Sequence, residues 1–159
     1  MEKIAIFVDV QNIYYTVKDG LNGQFDYNYF WSKIVKENVK IETAFAYAID
    51  RGDQKQLQFQ NILRGIGFNI KLKPYISRQD GSAKGDWDVG IAIDMLETAL
   101  SVDRLILLSG DGDFDLLADR LITMGKIVDV YGVPQLTADS LVKSASNFIP
   151  IDRTFLIRR

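Results

Sequence analysis

Cysteine and histidine are both missing from this 159-residue chain. Without cysteine there are no disulfides, zinc knuckles or thiol nucleophiles. Without histidine there is no serine–histidine triad, no imidazole base and no imidazole ligand for a transition metal. Long hydrophobic runs are absent too. The opening run, Ile4-Ala-Ile-Phe-Val8, is far too short for a signal peptide or a membrane span, and no later stretch is long enough. The expected compartment is the cytoplasm, with no membrane partner. Nor does one sign of charge dominate: the formal net charge is -2, which makes no global case for nucleic acid. The chemistry left is that of carboxylate, lysine, tyrosine and hydroxyl groups, and the oxygen ligands among them suit hard cations such as Mg²⁺ or Mn²⁺.

What is present is ordinary for a soluble globular fold. Apolar residues make up 47% and charged ones 25%, and the length suits one domain, residues 1–159, with a sizeable core. The charge, however, is uneven. Between Arg51 and Gly85 seven basic residues stand against two acidic ones, leaving 12 basic and 19 acidic elsewhere. Such a segment reads equally as a solvated face or as a phosphate-holding rim beside an acidic centre.

Strand-like and helix-like patterns alternate from end to end. Strands are expected at Lys3–Val8, Ile41–Ile49, Phe68–Ile76, Arg104–Leu108 and Lys126–Tyr131, with a short edge strand at Phe148–Ile151. Helices are expected at Asn12–Lys18, Tyr27–Glu37, Asp53–Arg64, Trp87–Leu100, Phe114–Met124 and Ala138–Ser146. Ser77–Gly85 reads as a polar, glycine-bearing loop. No internal repeat, low-complexity tract or linker interrupts the pattern. The fold class is therefore α/β, a doubly wound, Rossmann-like three-layer sandwich with a mainly parallel sheet of order 3-2-1-4-5. Ligands in such folds bind beyond the carboxyl ends of the strands where the winding reverses, here between strands one and four.

That rule points to acids. Strand one ends in Phe7-Val8-Asp9-Val10-Gln11-Asn12, and strand four in Leu108-Ser109-Gly110-Asp111-Gly112-Asp113. Alone, Asp111 or Asp113 reads as a helix N-cap; two acidic strand ends converging on one crevice point instead to a site. A third contributor lies in Lys84-Gly85-Asp86-Trp87-Asp88. Projected at about 100° per residue, Asp88 shares the apolar arc of Ile91, Ala92, Met95 and Ala99, which Val89, Ile93, Leu96 and Leu100 extend. Asp94 falls on the opposite, solvent-facing side. A carboxylate inside a buried stripe needs a cap, a partner such as Lys84, or a metal. Carboxylates gathered in one crevice repel each other and are stable together mainly with a multivalent cation, which can also activate water without histidine. Asn12, a turn beyond Asp9, reads as a holder of water or phosphate oxygen, or as a turn residue.

Two look-alikes depart from their patterns, the first of them fatally. Asp111-Gly-Asp113-Phe-Asp115 resembles the opening of a calcium-binding EF-hand loop, but Leu116 and Ile122 stand where that loop needs glycine and an acid. Gly110-Asp111-Gly112 resembles a late motif of haloacid dehalogenase-like phosphatases, whose leading Asp-x-Asp pair is here Asp9-Val10-Gln11. Neither a dinucleotide fingerprint nor a P-loop occurs.

Taken together, Phe7-Val8-Asp9-x-x-Asn12, Lys84-Gly85-x-x-Asp88-Val89 with Asp94, and Ser109-Gly110-Asp111-Gly112-Asp113-Phe114 resemble the NYN domain of the PIN-like nuclease superfamily, in its LabA-like branch. The resemblance spans essentially the whole chain. It implies Mg²⁺ or Mn²⁺ held by Asp9, Asp88, Asp111 and Asp113, which carry the catalysis, with Asn12 and Ser109 in support. One departure is the extra Trp87, which makes Asp86 an alternative to Asp88. The expected function is metal-dependent hydrolysis of single-stranded RNA, Lys84 and Tyr14 helping to bind it by charge and stacking. The alternatives are a non-catalytic RNA-binding or regulatory module, and a metal-dependent phosphatase. Besides RNA, a second copy of the chain is an expected partner.

Overall fold

The computed structural model describes residues 1–74, 76–77, 83–84 and 86–158. Strand β1 (Glu2–Asp9) carries the run Ile4–Val8, buried on both faces, and so occupies the middle of the sheet. On one side β1 pairs with β2 (Val39–Asp50), which pairs with β3 (Asn69–Pro74). On the other lie β6 (Arg104–Leu108), β7 (Ile127–Gly132) and β8 (Asn147–Pro150). All five pairings are parallel, and the order is β3-β2-β1-β6-β7-β8. The expected order holds, and the short edge strand joins it as a sixth member. Between β3 and β6, Ile76–Ser77 (β4) and Ala83–Lys84 (β5) pair antiparallel. Composition alone reads Ser77–Gly85 as loop, and the strand predicted to run to Ile76 stops at Pro74, which lacks an N–H for the ladder.

Helices cover both faces. Helices α1 (Val10–Leu21), α2 (Tyr27–Ile34) and α3 (Gln54–Ile66) bury Ile13, Val17, Phe30 and Leu63 against Ile4, Ile6 and Val8. An aromatic group of Phe25, Phe30, Tyr131 and Phe155 ties the C-terminal segment into that layer. Helices α4 (Asp88–Ala99), α5 (Asp115–Thr123) and α6 (Asp139–Ser144) pack Ile91, Met95, Leu117, Leu121 and Leu141 against Ala5, Phe7, Leu105 and Leu107. Helix α2 ends at Ile34 because Val35 turns extended, three residues before the predicted end. A 3₁₀ turn over Gly112–Phe114 precedes α5, seeded by the Asp111 side chain accepting the Asp113 N–H at 2.9 Å.

The register sets the site. Val8 pairs with Leu108, so Asp9 and Ser109 leave the sheet side by side where the winding reverses. Among the described residues no helix is long and apolar enough to cross a membrane.

Candidate metal centre

At that crossover a cleft of about 260 Å³ is lined by Asp9, Gln11, Asn12, Tyr15, Thr16, Asp86, Asp88 and Asp111. Asp88, Asp111 and Asp113 each offer a carboxylate oxygen, and the three oxygens lie within 4.8 Å of one another. Asp9 shares the cleft but stands outside that close trio, whereas Asp113 belongs to the trio and is exposed beyond the cleft wall.

A hydrogen-bonded brace holds the two strand ends together. Ser109 Oγ donates to Asp9 Oδ2 at 3.2 Å and accepts the Asp111 N–H at 3.2 Å. Asn12 Oδ1 accepts the Gly110 N–H at 2.9 Å, so this side chain holds the β6 exit against α1. Gly110 is required there: a Cβ would lie 2.6 Å from the Leu136 carbonyl oxygen.

Asp88 opens α4 with its carboxylate on the side of the helix that faces the site, as its position in the apolar arc predicts. Its N–H donates to Asp86 Oδ1 at 3.3 Å, which brings Asp86 into the cleft as well. The additional Trp87 is accommodated because its Nε1–H donates to the Ala48 carbonyl at 2.9 Å and its ring packs on Tyr47. Lys73 Nζ sits over that ring at 4.5 Å and donates to the Asp86 carbonyl at 3.2 Å, placing a cation beside the acids.

The acids are held against their own charge. Burial raises the Asp9 carboxyl to about 6; the Asn12 backbone N–H and the Ser109 hydroxyl pull it back, and Asp111 and Asp86 push it further up. Burial also raises Asp88, to about 7, with Asp111, Asp86 and Asp9 adding repulsion. The donor set is all oxygen, which fits a hard divalent ion and offers nothing that selects a softer one.

Two sequence expectations about α4 are corrected. Asp94 is not solvent-facing: its Oδ2 accepts from Lys71 Nζ at 2.6 Å and from the Tyr47 hydroxyl at 2.8 Å, on the sheet side of α4 and away from the cleft lining. Side chains rising from β2 and β3 reach a flank of the helix that a projection of α4 alone leaves empty. Val89, Ile93, Leu96 and Leu100 are exposed, because the apolar arc is wider than the sheet can cover. Tyr14 does not line the cleft; it packs edge-on against Tyr15, whose ring takes that place. Tyr15 and Thr16 stand three and four residues beyond Asn12, and helical spacing from Asn12 is the signal that finds them. The Lys84 side chain, Tyr75 and Gly85 lie outside the described residues.

Comparison with known proteins agrees with this architecture. The chain is 26% identical over 167 residues to the low amplitude and bright protein LabA of Synechococcus elongatus, a match covering 97% of this chain and 87% of that protein. It resembles the crystal structure of VPA0982, a protein of unknown function from Vibrio parahaemolyticus, with a TM-score of 0.93 and 56% identity. That match covers 98% of this chain and 96% of the other. The NYN domain model matches residues 3–152. The chain belongs to the NYN domain family.

Proposed function

We propose that the chain is a Mg²⁺- or Mn²⁺-dependent ribonuclease that hydrolyses phosphodiester bonds of single-stranded RNA in this cleft. The observation that carries the reading is the trio of carboxylate oxygens from α4 and the β6 exit within 4.8 Å of one another, in a chain of a nuclease-type family. Asp88, Asp111 and Asp113 are the residues that would hold the ion. When bound, a divalent cation neutralises charge on the phosphate and lowers the pKa of water.

The remaining work falls to the chain itself. Asp9, half-buried beside the trio and fixed by Ser109, is the group to take a proton from the attacking water. Asn12 keeps the Gly110–Asp113 turn in place while its side chain lines the cleft. Tyr15 walls the cleft with a ring that a base can stack on. Lys73, seated on Trp87, offers positive charge for the RNA backbone.

The test is cleavage of end-labelled single-stranded RNA with Mn²⁺, Mg²⁺ or chelator. Wild type cleaves only with metal, and Asp111→Asn lowers the rate by on the order of 100-fold or more while remaining folded. RNA that is bound but uncut by wild type makes the chain a non-catalytic binding module. Turnover of a simple phosphate monoester instead of RNA makes it a phosphatase. Cleavage that persists in chelator sinks the metal assignment.

A further inference from the structure

We propose that the α1 wall of the cleft is a base-recognition site, in which Tyr15 stacks a nucleobase and the Gln11 amide selects adenine. Resting on the ribonuclease reading, this site fixes which nucleotide lies beside the scissile phosphate.

The cleft has two unlike walls. The exits of β1 and β6 and the approach to α4 line it with aspartates, whereas α1 supplies Gln11, Asn12, Tyr15 and Thr16, all uncharged. A cation held on the acidic wall takes the phosphate, which leaves the nucleoside to the neutral one. Two polar groups there already have partners. Asn12 Oδ1 accepts the Gly110 N–H at 2.9 Å, and the Thr16 hydroxyl donates to the Asn12 carbonyl at 2.8 Å. Among the described residues the Gln11 side chain has no hydrogen-bond partner. Its amide therefore keeps donor and acceptor, side by side, for whatever enters. Tyr15 follows four residues later, which sets ring and amide on the same face of α1. The edge-on contact with Tyr14, centroids 5.2 Å apart, steadies the Tyr15 ring while leaving the residue 44% exposed.

The amide also names the base. Adenine presents a donor beside an acceptor on both of its free edges, N6–H with N7 and N6–H with N1. Guanine offers two acceptors, N7 and O6, on one edge, and each pyrimidine has a single edge to offer. Adenine is in addition a purine, with the larger face for Tyr15 to cover.

Fluorescence anisotropy with labelled oligoadenylate, oligocytidylate and oligouridylate tests this on the Ca²⁺-loaded chain, strand integrity being checked on a gel. Wild type should bind oligoadenylate about tenfold or more tightly than the other two. Gln11→Ala should bring the three affinities together. Replacing adenine by purine, which lacks the N6 amine, should cost wild type that same factor and cost Gln11→Ala nothing. Tyr15→Ala should weaken all three roughly tenfold without reordering them. Both side chains reach solvent, so circular dichroism should show both variants folded. Equal affinities in wild type, no binding of any strand, or an adenine preference that survives Gln11→Ala would each overturn the base site. Metal-dependent cleavage would still uphold the nuclease in those cases. Adenine-selective binding without cleavage supports the base site and removes the nuclease instead.

Discussion

At the scale of single residues, two carboxyls of the cleft, Asp9 and Asp88, are pushed by burial toward their neutral form. Asp9 is held near 6 and Asp88 near 7, against 3.8 in the unfolded chain. A carboxyl raised on folding stabilises the fold fully below its unfolded value, and that contribution is lost as pH rises through the folded value. For these two groups the loss runs from about pH 4 to about pH 7. A bound cation works the other way, since protons compete with it for the same oxygens. Melting temperatures measured with Mn²⁺ and with chelator should therefore diverge as pH is raised from 5 to 8, the metal-induced gap growing over that interval. A gap that stays constant or shrinks would argue that the ion sits elsewhere.

At the scale of elements, α4 deals with three surroundings at once: the cleft through Asp88, the sheet through Ile91, Met95 and Ala99, and solvent through its outer stripe. Its flank is tied down by Asp94, which links it to β2 through Tyr47 and to β3 through Lys71. Burial and the neighbouring Asp94 hold the Tyr47 hydroxyl in its protonated form. Asp94→Ala should cost about 1–2 kcal/mol in urea unfolding by leaving those two partners without their acceptor. Asp94→Asn should keep the Mn²⁺-induced rise in melting temperature that Asp111→Asn abolishes. If Asp94→Asn abolishes it too, Asp94 belongs to the metal site after all.

What was legible in the sequence follows from these geometries. Strand order and the approach of Asp9 and Asp111 to one crevice could be read, because apolar runs and right-handed crossovers are local or combinatorial properties. Asp88 was readable because an acid breaks an apolar arc on its own helix. The Asp94 tie was not, since its partners come from strands distant in sequence. Nor could a projection show which half of α4's broad arc the sheet would cover. The choice between Tyr14 and Tyr15 was open to helical spacing from Asn12, which puts Tyr15 and Thr16 on the cleft side.

At the scale of the whole molecule, stability and chemistry occupy opposite ends of one sheet. Where β6 begins, Arg104 donates to Glu2 Oε1 at 3.2 Å and to Asp129 Oδ2 at 2.7 Å, lashing β1, β6 and β7 together. Asn147 adds a bond to Asp129 from β8 at 2.8 Å. Arg104→Ala should lower unfolding free energy by about 2–3 kcal/mol, because the largely buried Asp129 loses its cation. RNA cleavage by that variant, measured well below its melting temperature, should match wild type. A coupled loss of activity would mean that the two ends are not independent.

The brace across the β1 and β6 exits carries a last consequence. With Asn12 gripping the Gly110 amide and Ser109 spanning Asp9 and Asp111, the oxygens of this pocket have surrendered most of their freedom before anything arrives. An incoming ion or phosphate then meets a rigid receptor, and little of its binding free energy is consumed in ordering the turn. Titration calorimetry should accordingly give a binding entropy with only a small penalty from the polypeptide.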